Sequence, residues 1–134
     1  MVKGKLAIVL HAHLPYVRAA KSGSLEEDWF FQALMECYLP LLKTLEDAAS
    51  CKEQKPKITI SLSPTLLSLL DDHELKVRFP NWLKFRIELL KDLPKDYSIA
   101  AEKLSENLKE QLHSWESCDG NLINRFSKLQ QEEV

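Results

Sequence analysis

An excess of positive charge is missing from this chain. Its 18 Lys and Arg stand against 20 Asp and Glu, a formal net charge of -2, which leaves nothing to neutralise the phosphates of a nucleic acid or an anionic membrane surface. Neither is expected as a partner. Long apolar runs are also missing: none approaches the roughly 18 residues of a transmembrane helix. The basic start Met1-Val2-Lys3-Gly4-Lys5 has the charge of a signal peptide, but the apolar run Leu6 to Leu10 stops at His11, too short for its hydrophobic region. Cysteine is scarce as well. Cys37, Cys51 and Cys118 are widely spaced, odd in number and free of any Cys-x-x-Cys pair, so neither a disulfide framework nor a zinc site is indicated. A cytoplasmic protein with no cofactor is the expectation. Only 3 glycines and 6 prolines argue against a low-complexity chain. What is present, 45% hydrophobic and 28% charged residues over 134 positions, suits one domain at most or part of a larger one.

Leu6 to Leu10 is apolar at every position, as expected of a strand covered on both faces in a parallel sheet. Ser24 then caps a helix with Glu27 in the Ser-x-x-Glu capping box, and Glu26 and Asp28 add negative charge where the helix dipole favours it. The positions Leu25, Trp29, Phe30, Ala33, Leu34, Cys37, Tyr38, Leu41, Leu42, Leu45 and Ala48 step by three and four and predict one helix, bent at Pro40. Lys55-Pro56-Lys57 marks a turn, and Ile58-Thr59-Ile60-Ser61-Leu62 alternates as a second strand with Thr59 and Ser61 on one face.

Ser63-Pro64 supplies an N-cap and first helical position for a short helix reaching Asp72. A further helix is predicted from Phe79-Pro80-Asn81 to Pro94, with Trp82, Phe85, Leu89, Leu90 and Leu93 on its apolar face. Ala100, Leu104, Leu108, Leu112 and Trp115 predict a long helix, interrupted by Asp119-Gly120-Asn121, and Leu122, Ile123, Phe126 and Leu129 predict a last one. The order strand, helix, strand, helices opens a parallel α/β sheet without completing it. The first strand has two edges, so the pattern expects neighbouring strands that these residues do not supply.

Residues two apart in a strand point the same way, so His11 and His13 project together from the C-terminal end of the first strand, where α/β enzymes place their sites. Hydrogen bonding at a strand end explains an isolated His-x-His equally well. The surrounding residues add more. His11-Ala12-His13-Leu14-Pro15-Tyr16-Val17 after an apolar strand resembles the first conserved region of the family 57 glycoside hydrolases, closest to their 1,4-α-glucan branching-enzyme branch. Glu26 to Phe31, Glu36 to Leu42, Ser61 to Leu67 and Arg86 to Leu90 resemble that family in the same order, to about Gln130.

The resemblance implies that residues 1–134 are a partial catalytic domain, the N-terminal portion of a (β/α)7 barrel that is incomplete in this chain. It implies a retaining transfer on α-glucan by a glutamate nucleophile and an aspartate acid/base, a pair that must stand about 5 to 5.5 Å apart. Both lie in later conserved regions of the family, so no catalytic residue is assigned here. By the same resemblance His11 and His13 line the sugar subsite at the point of cleavage, and Tyr16 adds a sugar contact.

The other polar candidates read as structural. Glu26, Glu27 and Asp28 serve the helix dipole and cap, and Asp71, Asp72 and Glu74 are solvated around a helix end. Trp29 and Phe30 read as core, Trp82 and Trp115 as apolar helix faces, His73 and His113 as solvent-facing, Ser61 as facing the barrel interior and Ser63 as a cap. Two other classes fit the same residues. His-x-His after a first barrel strand also holds metal in several hydrolases. The third reading is a non-enzymatic remnant or subunit that a partner chain completes with the missing strands.

Overall fold

The computed structural model describes residues 4, 6–18, 23–51 and 57–132. Strand β1 (Ile8–Ala12) pairs in parallel with β2 (Ile58–Leu62), in a register running from Ile8 beside Ile58 to Ala12 beside Leu62. Because side chains alternate, one face carries Ala12, Ile58, Ile60 and Leu62, which pack on the core. The other carries Val9, His11, Thr59 and Ser61, all exposed. The expected alternation of β2 is thus present, with Thr59 and Ser61 on the open face. Covering of β1 on both faces is not provided by the described residues, since Val9 is 68% exposed.

The single helix expected from Leu25 is divided. Helix α1 (Leu25–Ala33) passes through a π turn (Leu34–Tyr38) into α2 (Leu39–Ala49), with the Leu39 N–H bonded to the Leu34 carbonyl. Pro40, which has no N–H to give an α-helical ladder, falls in the first turn of α2. The wider π turn absorbs the missing bond where a bend was expected. The buried stripe is Glu27, Phe30, Phe31 and Leu34, continued by Tyr38, Leu39, Leu42, Leu45 and Ala49. Leu25 and Trp29 lie off it at 83% and 53% exposure, and Cys37 is exposed too. The Ser24 half of the expected capping box forms, Ser24 Oγ accepting from the Glu27 N–H at 3.2 Å, while the Glu27 carboxylate accepts from the Gly23 N–H, one residue before the N-cap. The turn expected at Lys55-Pro56 and the segment Met1 to Lys3 lie outside the described residues.

After β2, Ser63 caps α3 (Pro64–Asp71) by accepting from the Leu66 N–H at 3.3 Å. Helix α4 (His73–Leu89) starts earlier than its proline suggested, because Asp72 caps it through the Leu75 N–H at 3.0 Å and the helix runs through Pro80. Its buried stripe is therefore Leu75, Phe79, Leu83 and Ile87, and the expected Phe85, Leu89 and Leu93 are exposed. Burial of Leu75, Phe79 and Leu83, at most 1% exposed, offsets the proline's cost of about 3 kcal/mol. Two short 3-10 turns (90–92 and 95–97) lead to α5 (Ser98–Glu116), which buries Ala101, Leu108 and Trp115 and leaves Leu104 half exposed. The interruption at Asp119-Gly120-Asn121 and the last helix, α6 (Leu122–Gln131), are as expected.

The centre of the core is aromatic: Phe79 lies with its ring centroid 5.5 Å from Phe31 and 4.6 Å from Trp115, both tilted. No helix among the described residues is long and apolar enough to cross a membrane.

The α5–α6 turn closes on that cluster. Gly120 adopts φ +67° and donates its N–H to the Trp115 carbonyl, and a Cβ there would stand 2.6 Å from the Trp115 ring. Gly120→Ala is expected to lower the unfolding free energy by about 2 kcal/mol, from strained backbone plus displaced indole. Urea denaturation followed by tryptophan fluorescence measures it; an unchanged midpoint contradicts the packing described.

Candidate functional site

His11 is the fourth residue of β1 and stands in register with Ser61 of β2, so both project from the open face near its C-terminal end. Their side chains meet there, His11 Nδ1 and Ser61 Oγ being 2.6 Å apart. The His13 ring stacks on that of His11, with centroids 5.9 Å apart and planes 9° from parallel. The two histidines therefore share one side, as the strand geometry required.

The loop after β1 is fixed by the turn after β2. The Ser63 N–H donates to the Ala12 carbonyl at 3.0 Å, carrying the ladder one residue past the strands. Thr65 Oγ1 donates to the Leu14 carbonyl at 2.8 Å, and Ser63 Oγ lies 3.1 Å from Thr65 Oγ1. Leu14 and Val17 enter the core at 5% and 8% exposure, leaving His13, Pro15 and Tyr16 outward. Tyr16, 63% exposed, thus lies on the same loop as His13.

Charge anchors the far end of the loop. Arg18 Nε donates to Asp72 at 2.7 Å and its terminal nitrogen to Glu74 at 2.8 Å. Glu74 also accepts from Arg78, whose other nitrogen donates to Glu27 at 2.7 Å. Glu27 is only 1% exposed, so its carboxylate is a buried charge and not only a cap residue. Asp72 likewise departs from the expected solvated state: it caps α4 and holds Arg18. Glu26 keeps the expected role, its carboxyl held low by the backbone N–H and by Ser24 at the helix start. Asp71 and Glu74 are exposed, as are His73 and His113.

Nearby, Asp28 accepts from Trp82 Nε1 at 2.6 Å and from Arg86 at 2.7 Å, with the Arg86 guanidinium 4.6 Å over the Trp82 ring. Phe30 is core, but Trp29 is not. Among the described residues no group of three or more His, Cys, Asp and Glu side chains is arranged to hold a metal ion.

The resemblance noted in the sequence is to one family, and comparison with known proteins bears on that family. The family model described as glycosyl hydrolase family 57 matches residues 7–134. This chain belongs to glycosyl hydrolase family 57.

Similar proteins include the 1,4-alpha-glucan branching enzyme TK1436 of Thermococcus kodakarensis, 29% identical over an alignment of 134 positions that covers 98% of this chain and 20% of that protein. A probable 1,4-alpha-glucan branching enzyme of Mycobacterium tuberculosis is 34% identical over 61% of this chain and 15% of its own length. Among solved structures, the GH57-type branching enzyme of Pyrococcus horikoshii superposes with a TM-score of 0.88 at 30% identity, covering 98% of this chain and 26% of that one. The branching enzyme of Thermococcus kodakarensis, solved in complex with glucose and additives, gives 0.85 at 27% identity, over 98% of this chain and 24% of that chain. This chain spans about a fifth to a quarter of the length of these two archaeal relatives. Its α/β fold, with two parallel strands and the helices around them, matches the corresponding region of the family 57 branching enzymes.

The histidines and the Thr59/Ser61 face are legible in the sequence, but the alternate series Ser61, Ser63 and Thr65, which touches the histidine loop at His11, Ala12 and Leu14, is not among its expectations. Its spacing of two was the available signal.

Burial raises the Asp72 pKa, but the Arg18 hydrogen bond, the Leu75 N–H and the Arg18 charge outweigh it and leave the group below the ordinary aspartate value. Asp72 therefore adds stability that is present above the unfolded aspartate pKa of about 4 and lost as pH falls through the lower folded value. Asp72→Asn, which can still cap Leu75, is expected to flatten the acid limb of the stability profile below about pH 4 and to leave the helix cap intact. Guanidinium midpoints measured from pH 7 to pH 2 test this; an acid limb as steep as in the parent chain counts against the Arg18 anchor.

Proposed function

We propose that this chain is the sugar-binding N-terminal part of the catalytic barrel of an α-glucan-acting enzyme of the 1,4-α-glucan branching kind, serving cytoplasmic glycogen-type synthesis. The observation that supports this best is the stacked pair His11 and His13 at the end of β1, in a chain of family 57. Two imidazoles on one side present ring nitrogens to adjacent hydroxyls of a glucose unit, and the exposed Tyr16 on the same loop offers a ring and a hydroxyl. The retaining transfer itself needs a glutamate nucleophile and an aspartate acid/base about 5 to 5.5 Å apart. In this reading neither is among these residues, and further strands beside β1 and β2, from additional sequence or a partner chain, complete the barrel and bring them.

The purified chain is expected to bind maltohexaose weakly and to lose about fivefold in affinity on His11→Ala or His13→Ala, the worth of one hydrogen bond of about 1 kcal/mol. It is expected to form no branch points in amylose. Calorimetry and iodine absorbance provide the two readouts. Binding unaffected by both substitutions contradicts the role of the histidines, and branching by this chain alone contradicts the assignment of the carboxylates elsewhere.

A further inference from the structure

We propose that Ser61 is a positioning residue, which commits Nδ1 of His11 and so leaves Nε2 as the ring nitrogen offered to a sugar hydroxyl. The inference deepens the sugar-binding reading and rests on it for the ligand, though not for the contact. Register fixes the pair: His11 and Ser61 are directly opposed on parallel strands, and their side chains close to 2.6 Å. An imidazole has two nitrogens on different edges of a flat ring, so occupying one orients the other. The opposed position is rigid, because Ser63 and Thr65 bond the backbone of Ala12 and Leu14 immediately beyond it. The oriented ring then carries His13, stacked at 9° from parallel. Holding a side chain before the ligand arrives spares the ordering cost that binding otherwise includes.

Ser61 is exposed and, among the described residues, bonds no core group, so Ser61→Ala is expected to fold, while Ser61→Thr keeps the hydroxyl. Long-range proton–nitrogen NMR of the chain, first without ligand and then with maltohexaose, tests the proposal. In the parent chain the His11 Nδ1 shift should carry the mark of the Ser61 hydrogen bond, and the Nε2 shift should move on adding maltohexaose. In Ser61→Ala the Nδ1 shift should change as that bond is lost and the ring samples other orientations, and affinity should fall about threefold to fivefold. Ser61→Thr should restore both. Ring-nitrogen shifts of His11 that are the same in the parent and in Ser61→Ala overturn the proposal, whatever the sugar does. An Nδ1 shift that changes in Ser61→Ala, with no response of His11 or His13 to maltohexaose in any variant, upholds Ser61 as the positioning residue and overturns the sugar-binding reading instead.

Discussion

The structure depends on the parallel pairing of β1 with β2 and on its continuation past both strands, where the Ser63 N–H meets the Ala12 carbonyl. That register sets His11 opposite Ser61 and sends Ile58, Ile60 and Leu62 to the helices. A slip of one residue would exchange the two faces of β2, putting Thr59 and Ser61 against the core and Ile60 beside His11. The core and the histidine pair are therefore specified together. The same register delivers the chain into the α3 N-terminus, whose cap residue Ser63 and neighbour Thr65 hold the loop after β1.

Helix α4 joins this corner to the rest of the fold. Its capping Asp72 and first-turn Glu74 take Arg18 from the histidine loop, its Arg78 takes the buried Glu27 of α1, and Phe79 packs between Phe31 and Trp115. The Glu27–Arg78 bond, with Glu27 buried and Arg78 partly exposed, couples the placement of α1 to α4. The open strand face, by contrast, carries little that the described core requires. Val9, His11, Thr59 and Ser61 on that face are all exposed.

Much of this was legible in the sequence. The position of β2, the Ser24 and Ser63 caps, the Asp119-Gly120 break and the shared direction of the histidines follow from local rules that depend on a few adjacent residues, whereas β1, expected at Leu6 to Leu10, lies two residues later at Ile8–Ala12 and includes His11. The failures were long-range. Glu27 lies in the buried stripe with its carboxylate bonded to Arg78, 51 positions away, so a hydrophobic pattern passes over it in favour of Leu25 and Trp29. Pro80 read as a helix start because the local rule is strong, yet Asp72 had already capped the helix and the burial of Phe79 and Leu83 carries it through. Pro40 gave the position of the irregularity but not its kind, a π turn in place of a bend. Ser61 could be assigned to a face, but not to His11, until the register was known.

Among the described residues, the β1–β2 pair and the helices behind it hold the histidine loop in place. Native-state hydrogen exchange of the Ser63 amide measures this most directly, since that N–H is bonded across the strand end to Ala12. It should exchange with the core amides of Leu42 and Leu83, through global unfolding. Exchange of Ser63 as fast as exposed loop amides, while Leu83 stays protected, would show a frayed strand pair and contradict it.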